Sequence, residues 1–248
     1  VSITDANDAP TFANAIPNQT IAEDSALSFQ FNSNVFADVD VGDSFTYTAT
    51  LSDGSALPSW LSFNASTRTF SGTPLNANVG AIDVKVTATD SGSAAISDTF
   101  SITVTNTNDA PSVVNAIADQ AATEDSALSF QFASNVFTDV DSGDSFTYTA
   151  TLSDGSTLPS WLSFNAASRT FSGTPLNGDV GAIDVKVTAT DSGSAAITDT
   201  FKITVSNTAD APTGISFSSN SVAENSMGVV VGDIIVEDDD NDVTFYSL

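Results

Sequence analysis

The chain contains no cysteine and no histidine, only five lysines and arginines together, and one methionine. Each scarcity excludes something. Without cysteine there is neither a disulfide framework nor a thiolate zinc site. Without histidine the usual general base near neutral pH and the commonest transition-metal ligand are both missing. The apolar runs are short, so no segment reads as a bilayer-spanning helix and no membrane insertion is expected. Against so few cations stand 31 acidic residues, a net charge of −26 over 248 residues. That balance repels nucleic acid and anionic lipid and favours cations as partners. Hydrophobic content is nonetheless 41%, enough to build cores rather than an acidic disordered tail.

The chain is repetitive. Pro10, Pro111 and Pro212 recur at an interval of 101 residues, as do Trp60 and Trp161, and Arg68 and Arg169. The block Leu57 to Ala65 is identical to Leu158 to Ala166, while the opening strand, Thr11 to Ala22, differs from Ser112 to Thr123. The expected organisation is 1–9 as the end of a preceding repeat plus linker, 10–110 and 111–211 as full repeats, and 212–248 as the start of a third. Val1-Ser2-Ile3-Thr4 matches the pattern of Ile102-Thr103-Val104-Thr105, so it is expected to be the last strand of a preceding repeat.

Within a repeat the apolar residues alternate with a period of two. Leu27, Phe29 and Phe31 fall on one face, as do Phe45, Tyr47, Ala49 and Leu51, and Ile82-Asp83-Val84-Lys85-Val86 alternates strictly. Further strands are expected at Leu61 to Phe63, Thr69 to Ser71 and Phe100 to Val104. Asp53-Gly54 and Ser71-Gly72 read as turns. The fold class predicted is all-β: tandem seven-stranded Greek-key β-sandwiches joined end to end, with Trp60 packed into the core. Val229 to Val236 reads as the second strand of the third repeat.

Acids recur in three clusters per repeat. Glu23-Asp24 (Glu124-Asp125) precedes the second strand, Asp38-Val39-Asp40 with Asp43 (Asp139-Val140-Asp141 with Asp144) follows Phe36 or Phe137, and Asp90-Ser91-Gly92 (Asp191-Ser192-Gly193) follows the long alternating strand. Asn and Asp also fill the joints before each Ala-Pro: Asp5, Asn7 and Asp8; Asn106, Asn108 and Asp109; Asn207 and Asp210. Alternate loops of a sandwich lie at opposite ends. The Asp-x-Asp and Asp-Ser-Gly loops are therefore expected at the end nearest the preceding linker, and Glu23 at the other. Neutral amide and carboxylate oxygens are the donors that hard cations prefer, and crowded carboxylates repel one another unless a cation lies among them.

The residues Phe36-Ala37-Asp38-Val39-Asp40-Val41-Gly42-Asp43, Leu57-Pro58-Ser59-Trp60-Leu61-Ser62-Phe63, Arg68-Thr69-Phe70-Ser71-Gly72-Thr73-Pro74, Val86-Thr87-Ala88-Thr89-Asp90 and Asn108-Asp109-Ala110-Pro111 resemble bacterial cadherin-like repeats, the dystroglycan-type cadherin-like and Ig-like domains of large surface adhesins. Val222-Ala223-Glu224-Asn225 and Phe245-Tyr246-Ser247-Leu248 resemble the start of an ordinary cadherin repeat. The resemblance implies Ca²⁺ between domains. Its ligands would be Asp5, Asn7, Asp8, Asp38, Asp40 and Asp90 at the first junction, and Glu23, Asn106, Asn108, Asp109, Asp139, Asp141 and Asp191 at the central one. At the last junction they would be Glu124, Asn207, Asp210, Asp238 and Asp240. Asn106 stands where many cadherins have Asp, Ala209 replaces the equivalent of Asn108, and no Asp-Arg-Glu motif occurs mid-repeat. These departures leave one, two or three ions per junction open.

The expected function is a non-enzymatic, calcium-rigidified spacer in an extracellular or cell-surface bacterial protein. Two alternatives have other partners: a carbohydrate-binding array recognising surface polysaccharide, and a repeat that assembles with other copies of itself.

Overall fold

The computed structural model describes residues 6–218, 221, 224, 228 and 233–237. The chain divides into two compact units between Asn108 and Asp109, each described here by itself.

In the first unit nine strand segments follow one another: β1 (Thr11–Phe12), β2 (Gln19–Ala22), β3 (Leu27–Gln30), β4 (Phe36–Ala37), β5 (Thr46–Leu51), β6 (Leu61–Asn64), β7 (Thr69–Gly72), β8 (Gly80–Thr89) and β9 (Ala95–Thr105). One sheet has the order β2-β9-β8-β5 and the other β3-β7-β6, with a short β1-β4 ribbon beside them. This is the expected seven-stranded sandwich with one refinement. The opening strand is split: β1 pairs antiparallel with β4, and after Pro17 the chain crosses over so that β2 runs parallel to β9.

Alternation explains the core. Val84, Val86 and Ala88 on β8 face inward with no exposed surface, and Phe100, Ile102 and Val104 on the neighbouring β9 are buried as well. Phe70 on β7 meets them from the opposite sheet, with ring centroids 5.4 Å from Phe100 and 4.5 Å from Phe63. Aromatic pairs at these spacings add directional contacts to the burial of apolar area. Thr and Ser occupy the outward positions, which suits strands wet on one face.

Trp60 packs against this core but is half-buried, not mostly enclosed, and Trp161 is placed equivalently in the second unit. The Asp53-Gly54 turn forms as expected, with Gly54 at φ 92°. The Ser55 hydroxyl and N–H donate to Asp53 Oδ1 at 2.6 and 2.8 Å and hold that carboxyl below its usual range. Ser71-Gly72 corrects its expectation: it is no turn but the end of β7. A Cβ on Gly72 would lie 1.8 Å from the Trp60 carbonyl oxygen, so glycine is there for the close approach of two backbones rather than for a change of direction.

The second unit repeats these elements as β10 (Ser112–Val113), β11 (Gln120–Thr123), β12 (Leu128–Gln131), β13 (Phe137–Thr138), β14 (Thr147–Leu152), β15 (Leu162–Asn165), β16 (Thr170–Gly173), β17 (Gly181–Thr190) and β18 (Ala196–Ser206), with the same sheet orders. It also carries β19 (Gly214–Phe217) paired antiparallel with β20 (Ile234–Glu237). The expected strand from Val229 to Val236 is thus seen over its last residues; 229–232 lie outside the described residues. Helical geometry among the described residues is confined to 3₁₀ turns at Asn76–Asn78 and Asn177–Asp179.

Candidate metal centre

At one end of the first sandwich the loop after β4 and the turn between β8 and β9 bring three carboxylates together. One oxygen each of Asp38, Asp43 and Asp90 lies within 4.8 Å of the others. Local chemistry orients each acid. The Asp40 N–H donates to Asp38 Oδ1 at 3.0 Å, closing an Asx turn. Gly42 at φ 98° lets the chain reverse so that Asp43 N–H reaches the Asp40 carbonyl. The Ser91 hydroxyl donates to Asp43 Oδ1 at 2.5 Å. Ala94 N–H donates to Asp90 Oδ1 at 2.8 Å, with Ser93 held at φ 76° in that turn.

The preceding linker docks on the same loops. Asn7 Nδ2 donates to Asp90 Oδ2 at 3.1 Å, and Asp8 N–H donates to Asp40 Oδ2 at 2.8 Å. Gly92 makes room for this contact, since a Cβ there would fall 2.1 Å from Asn7 Oδ1.

The second unit has the same arrangement in Asp139, Asp144 and Asp191. Asp141 N–H donates to Asp139 Oδ1 at 3.0 Å, the Ser192 hydroxyl donates to Asp144 Oδ1, and Ala195 N–H donates to Asp191 Oδ1 at 2.8 Å. Asp109 N–H donates to Asp141 Oδ2 at 2.8 Å, the counterpart of the Asp8 contact.

The glutamates lie at the far end of each sandwich. Glu23 follows β2, its N–H bonds to the Thr105 carbonyl at 3.0 Å, and its side chain is 1% exposed. Thr107 N–H donates to Glu23 Oε1 at 2.8 Å. Glu124 repeats this with Thr208 N–H as its donor. The remaining expected ligands are placed as follows. Asn106, Asn108 and Asn207 are exposed in their linkers and Asp210 is half-buried. Asp5, Asp238 and Asp240 lie outside the described residues.

Glu23 Oε2, Asp38 Oδ2, Asp43 Oδ2 and their counterparts Glu124 Oε2, Asp139 Oδ2 and Asp144 Oδ2 are fully buried and meet no hydrogen-bond donor. A buried anionic oxygen without a partner is costly, and several within a few ångströms compound the cost. An all-oxygen set of this kind fits a hard divalent cation such as Ca²⁺ and offers no ligand suited to a soft metal. Asp43 and Asp144 were absent from the expected ligands. Their signal was the third acid of Asp-x-Asp-x-Gly-Asp, read in sequence as part of the loop and not as a donor.

The architecture defines the class: tandem antiparallel β-sandwiches in which a parallel first-to-last strand pair closes one sheet, with acids gathered at both ends of each. Residues 9–105 and 110–206 match the model of the family described as "Putative Ig domain", and the chain belongs to that family. It is 34% identical over 197 residues to the serine-rich adhesin for platelets of Staphylococcus aureus strain USA300, which covers 79% of this chain and 8% of that protein. The same protein of strain MRSA252 is also 34% identical, over 79% of this chain and 13% of its own length. The chain thus spans only a small part of these relatives. Among solved structures, Drosophila N-cadherin EC1-4 matches with a TM-score of 0.57 at 17% identity, over 81% of this chain and 50% of that one. The protocadherin gamma B7 extracellular cadherin domains 1-4 match with a TM-score of 0.56 at 19% identity, over 93% and 59%. At these identities the likeness is one of fold: the repeats are cadherin/Ig-like sandwiches.

Proposed function

We propose that this chain is a calcium-rigidified spacer of a large extracellular bacterial adhesin, with Ca²⁺ held at the linkers between repeats, and that it is not an enzyme. The observation that carries the reading is the pairing of the two ends of each sandwich. Each repeat has a donorless buried carboxylate oxygen at both ends, Glu23 Oε2 at one and Asp38 and Asp43 Oδ2 at the other, and the linkers beside them are made of Asn and Asp. The adhesin relative and the cadherin-like fold support it. Glu23, Asn106, Asn108, Asp109, Asp139, Asp141 and Asp191 would hold the ion at the central joint; Asp5, Asn7, Asp8, Asp38, Asp40 and Asp90 would hold it at the first, and Glu124, Asn207, Asp210, Asp238 and Asp240 at the last. Ca²⁺ would supply positive charge against part of the −26 and hold each linker in one conformation. Extracellular modules need only weak sites, with Kd on the order of 10⁻⁴ to 10⁻³ M.

The test is calorimetric titration of the full chain with Ca²⁺, paired with small-angle scattering in calcium and in chelator. The expected result is binding heat and a narrower range of sizes with calcium. Superimposable scattering curves and no binding heat would overturn the proposal.

A further inference from the structure

We propose that the open edge of β5, with the cleft beside it, binds an extended peptide that joins the sheet as a further strand. The segment that fits has two aliphatic residues at alternate positions and lysine or arginine towards both ends. β14 presents the same edge in the second unit. This goes beyond the calcium reading and does not depend on it.

β5 ends the β2-β9-β8-β5 sheet and pairs only with β8. At six residues it is longer than β2, β3 and β6, the other edge strands of the two sheets, which have four each. Ser52 N–H donates to the Asp83 carbonyl at 2.9 Å. By antiparallel alternation Thr50, Thr48 and Thr46 then turn their backbone groups to β8, while Tyr47, Ala49 and Leu51 turn theirs outward. Leu51 is satisfied within its own turn, accepting from Gly54 N–H and donating to the Ser55 carbonyl, both at 2.9 Å. The N–H and C=O of Tyr47 and Ala49 are left facing out, and no backbone group among the described residues meets them there. Tyr148 and Ala150 are left the same way, with Ser153 N–H on the Asp184 carbonyl and Leu152 closed by Gly155 and Ser156.

Edge strands are ordinarily guarded by charge, proline or a bulge. Phe45 to Ser52 contains no charged residue and no proline, and its register with β8 is unbroken from Thr46 to Leu51. Tyr47 and Ala49 also line a cleft of about 630 Å³ between β5 and β6, where Leu57, Leu61 and Phe63 supply apolar wall. Peptide residues opposite Tyr47 and Ala49 share their face, so two alternate side chains enter the cleft and the one between them meets water beside Thr48. Main-chain bonds then give affinity and the cleft chooses the side chains. Charge chooses the rest. Asp43 and Asp53 stand just beyond the two ends of the uncharged run, on a chain of net charge −26. The cations nearby are set back from the edge: Lys85 lies one strand in, opposite Thr50, and Arg68 Nε donates to the Phe31 carbonyl at 3.5 Å. A second copy of the chain fits less well. With Tyr47 opposite the partner's Ala49, Asp43 falls opposite the partner's Asp53, acid against acid at both ends.

The experiment uses the full chain and a fluorescein-labelled synthetic peptide: two valines separated and flanked by threonines, with two lysines at each end. Anisotropy at about 0.15 M ionic strength measures affinity, in calcium and in chelator, and amide chemical shifts locate the site. Binding is expected in both conditions, with shifts at 46–51 and 56–63 and at their counterparts 147–152 and 157–164. Methylating the two valine nitrogens should weaken binding ~10-fold or more, the loss of two backbone hydrogen bonds. Ala49→Pro with Ala150→Pro removes an outward N–H and no bond to the neighbouring strand, and should weaken it as much. Asp53→Asn with Asp154→Asn keeps an oxygen for the serine of each turn and should weaken binding about threefold, the size of an exposed ion pair.

Equal binding of the methylated and parent peptides overturns the proposal, as do shifts confined to the acidic loops, because the lysines would then be seeking charge alone. No binding at millimolar peptide overturns it too. So does sedimentation of the protein as a dimer that Ala49→Pro with Ala150→Pro separates, which makes a second copy the occupant. Each of these outcomes leaves the calcium reading standing.

Discussion

The backbone N–H of Thr107 donates to Glu23 Oε1 at 2.8 Å, fastening the start of the linker to an acid that is 1% exposed and whose other oxygen has no donor. Glutamine at position 23 keeps an oxygen for Thr107 and removes the charge. Glu23→Gln should therefore unfold at the same or a higher temperature than the unsubstituted protein in chelator, and gain less from added calcium. Paired melting curves followed by circular dichroism check this; a lower melting temperature in chelator would mean that the charge itself supports the sandwich.

Gly72→Ala places a Cβ 1.8 Å from the Trp60 carbonyl oxygen, a backbone atom that cannot step aside. Overpacking of this sort costs about 2 kcal/mol or more, which for a domain of this size lowers its melting temperature by roughly 8 °C or more. Gly178→Ala is the matched control. Nothing lies within 4 Å of its Cβ position and its φ is ordinary, so it should be neutral or slightly stabilising.

Gly92→Ala meets the Asn7 side chain 2.1 Å away, the end of an exposed linker residue that can swing clear. Sandwich stability should change by less than ~0.5 kcal/mol. The Asn7–Asp90 hydrogen bond should be lost, and backbone amide exchange of the first linker should speed up. Unchanged exchange in the linker would show that Gly92 is not what lets Asn7 dock.

Burial raises the phenol pKa of Tyr47 and of Tyr148, opposed in part by Arg68 and Arg169. A folded pKa above the unfolded one means that stability is full below the unfolded value near 10 and falls as pH rises through it. Stability should therefore decline above about pH 10, with the absorbance titration of these phenols displaced upward from free tyrosine. Tyr47→Phe with Tyr148→Phe should remove most of the alkaline loss seen in denaturant midpoints measured from pH 8 to 11.

The period-two alternation made the sandwich legible: Val84, Val86 and Ala88 read as one face and are one face. The crossing of the opening strand from β4 to β9 was not legible, because it depends on a two-residue pairing on one side and a parallel register on the other, neither of which leaves a periodic trace. Ser71-Gly72 was misread because a glycine needed for close backbone approach looks the same in sequence as one needed for a turn. The gathering of the Asp-x-Asp and Asp-Ser-Gly loops at one end could be reasoned from strand alternation. That Asp43 joins them could not, since it rests on the turn at Gly42 and the hydrogen bond from Ser91.

The crossover has a mechanical side. β2 lies parallel to β9 from Gln19 opposite Ile102 to Ala22 opposite Thr105, so tension drawn through the two termini of a repeat slides these strands past each other in shear. All the rungs of that ladder then bear load together, instead of opening singly as a zipper does. A repeat wired this way resists pulling along its own length better than one whose terminal strands would peel apart rung by rung.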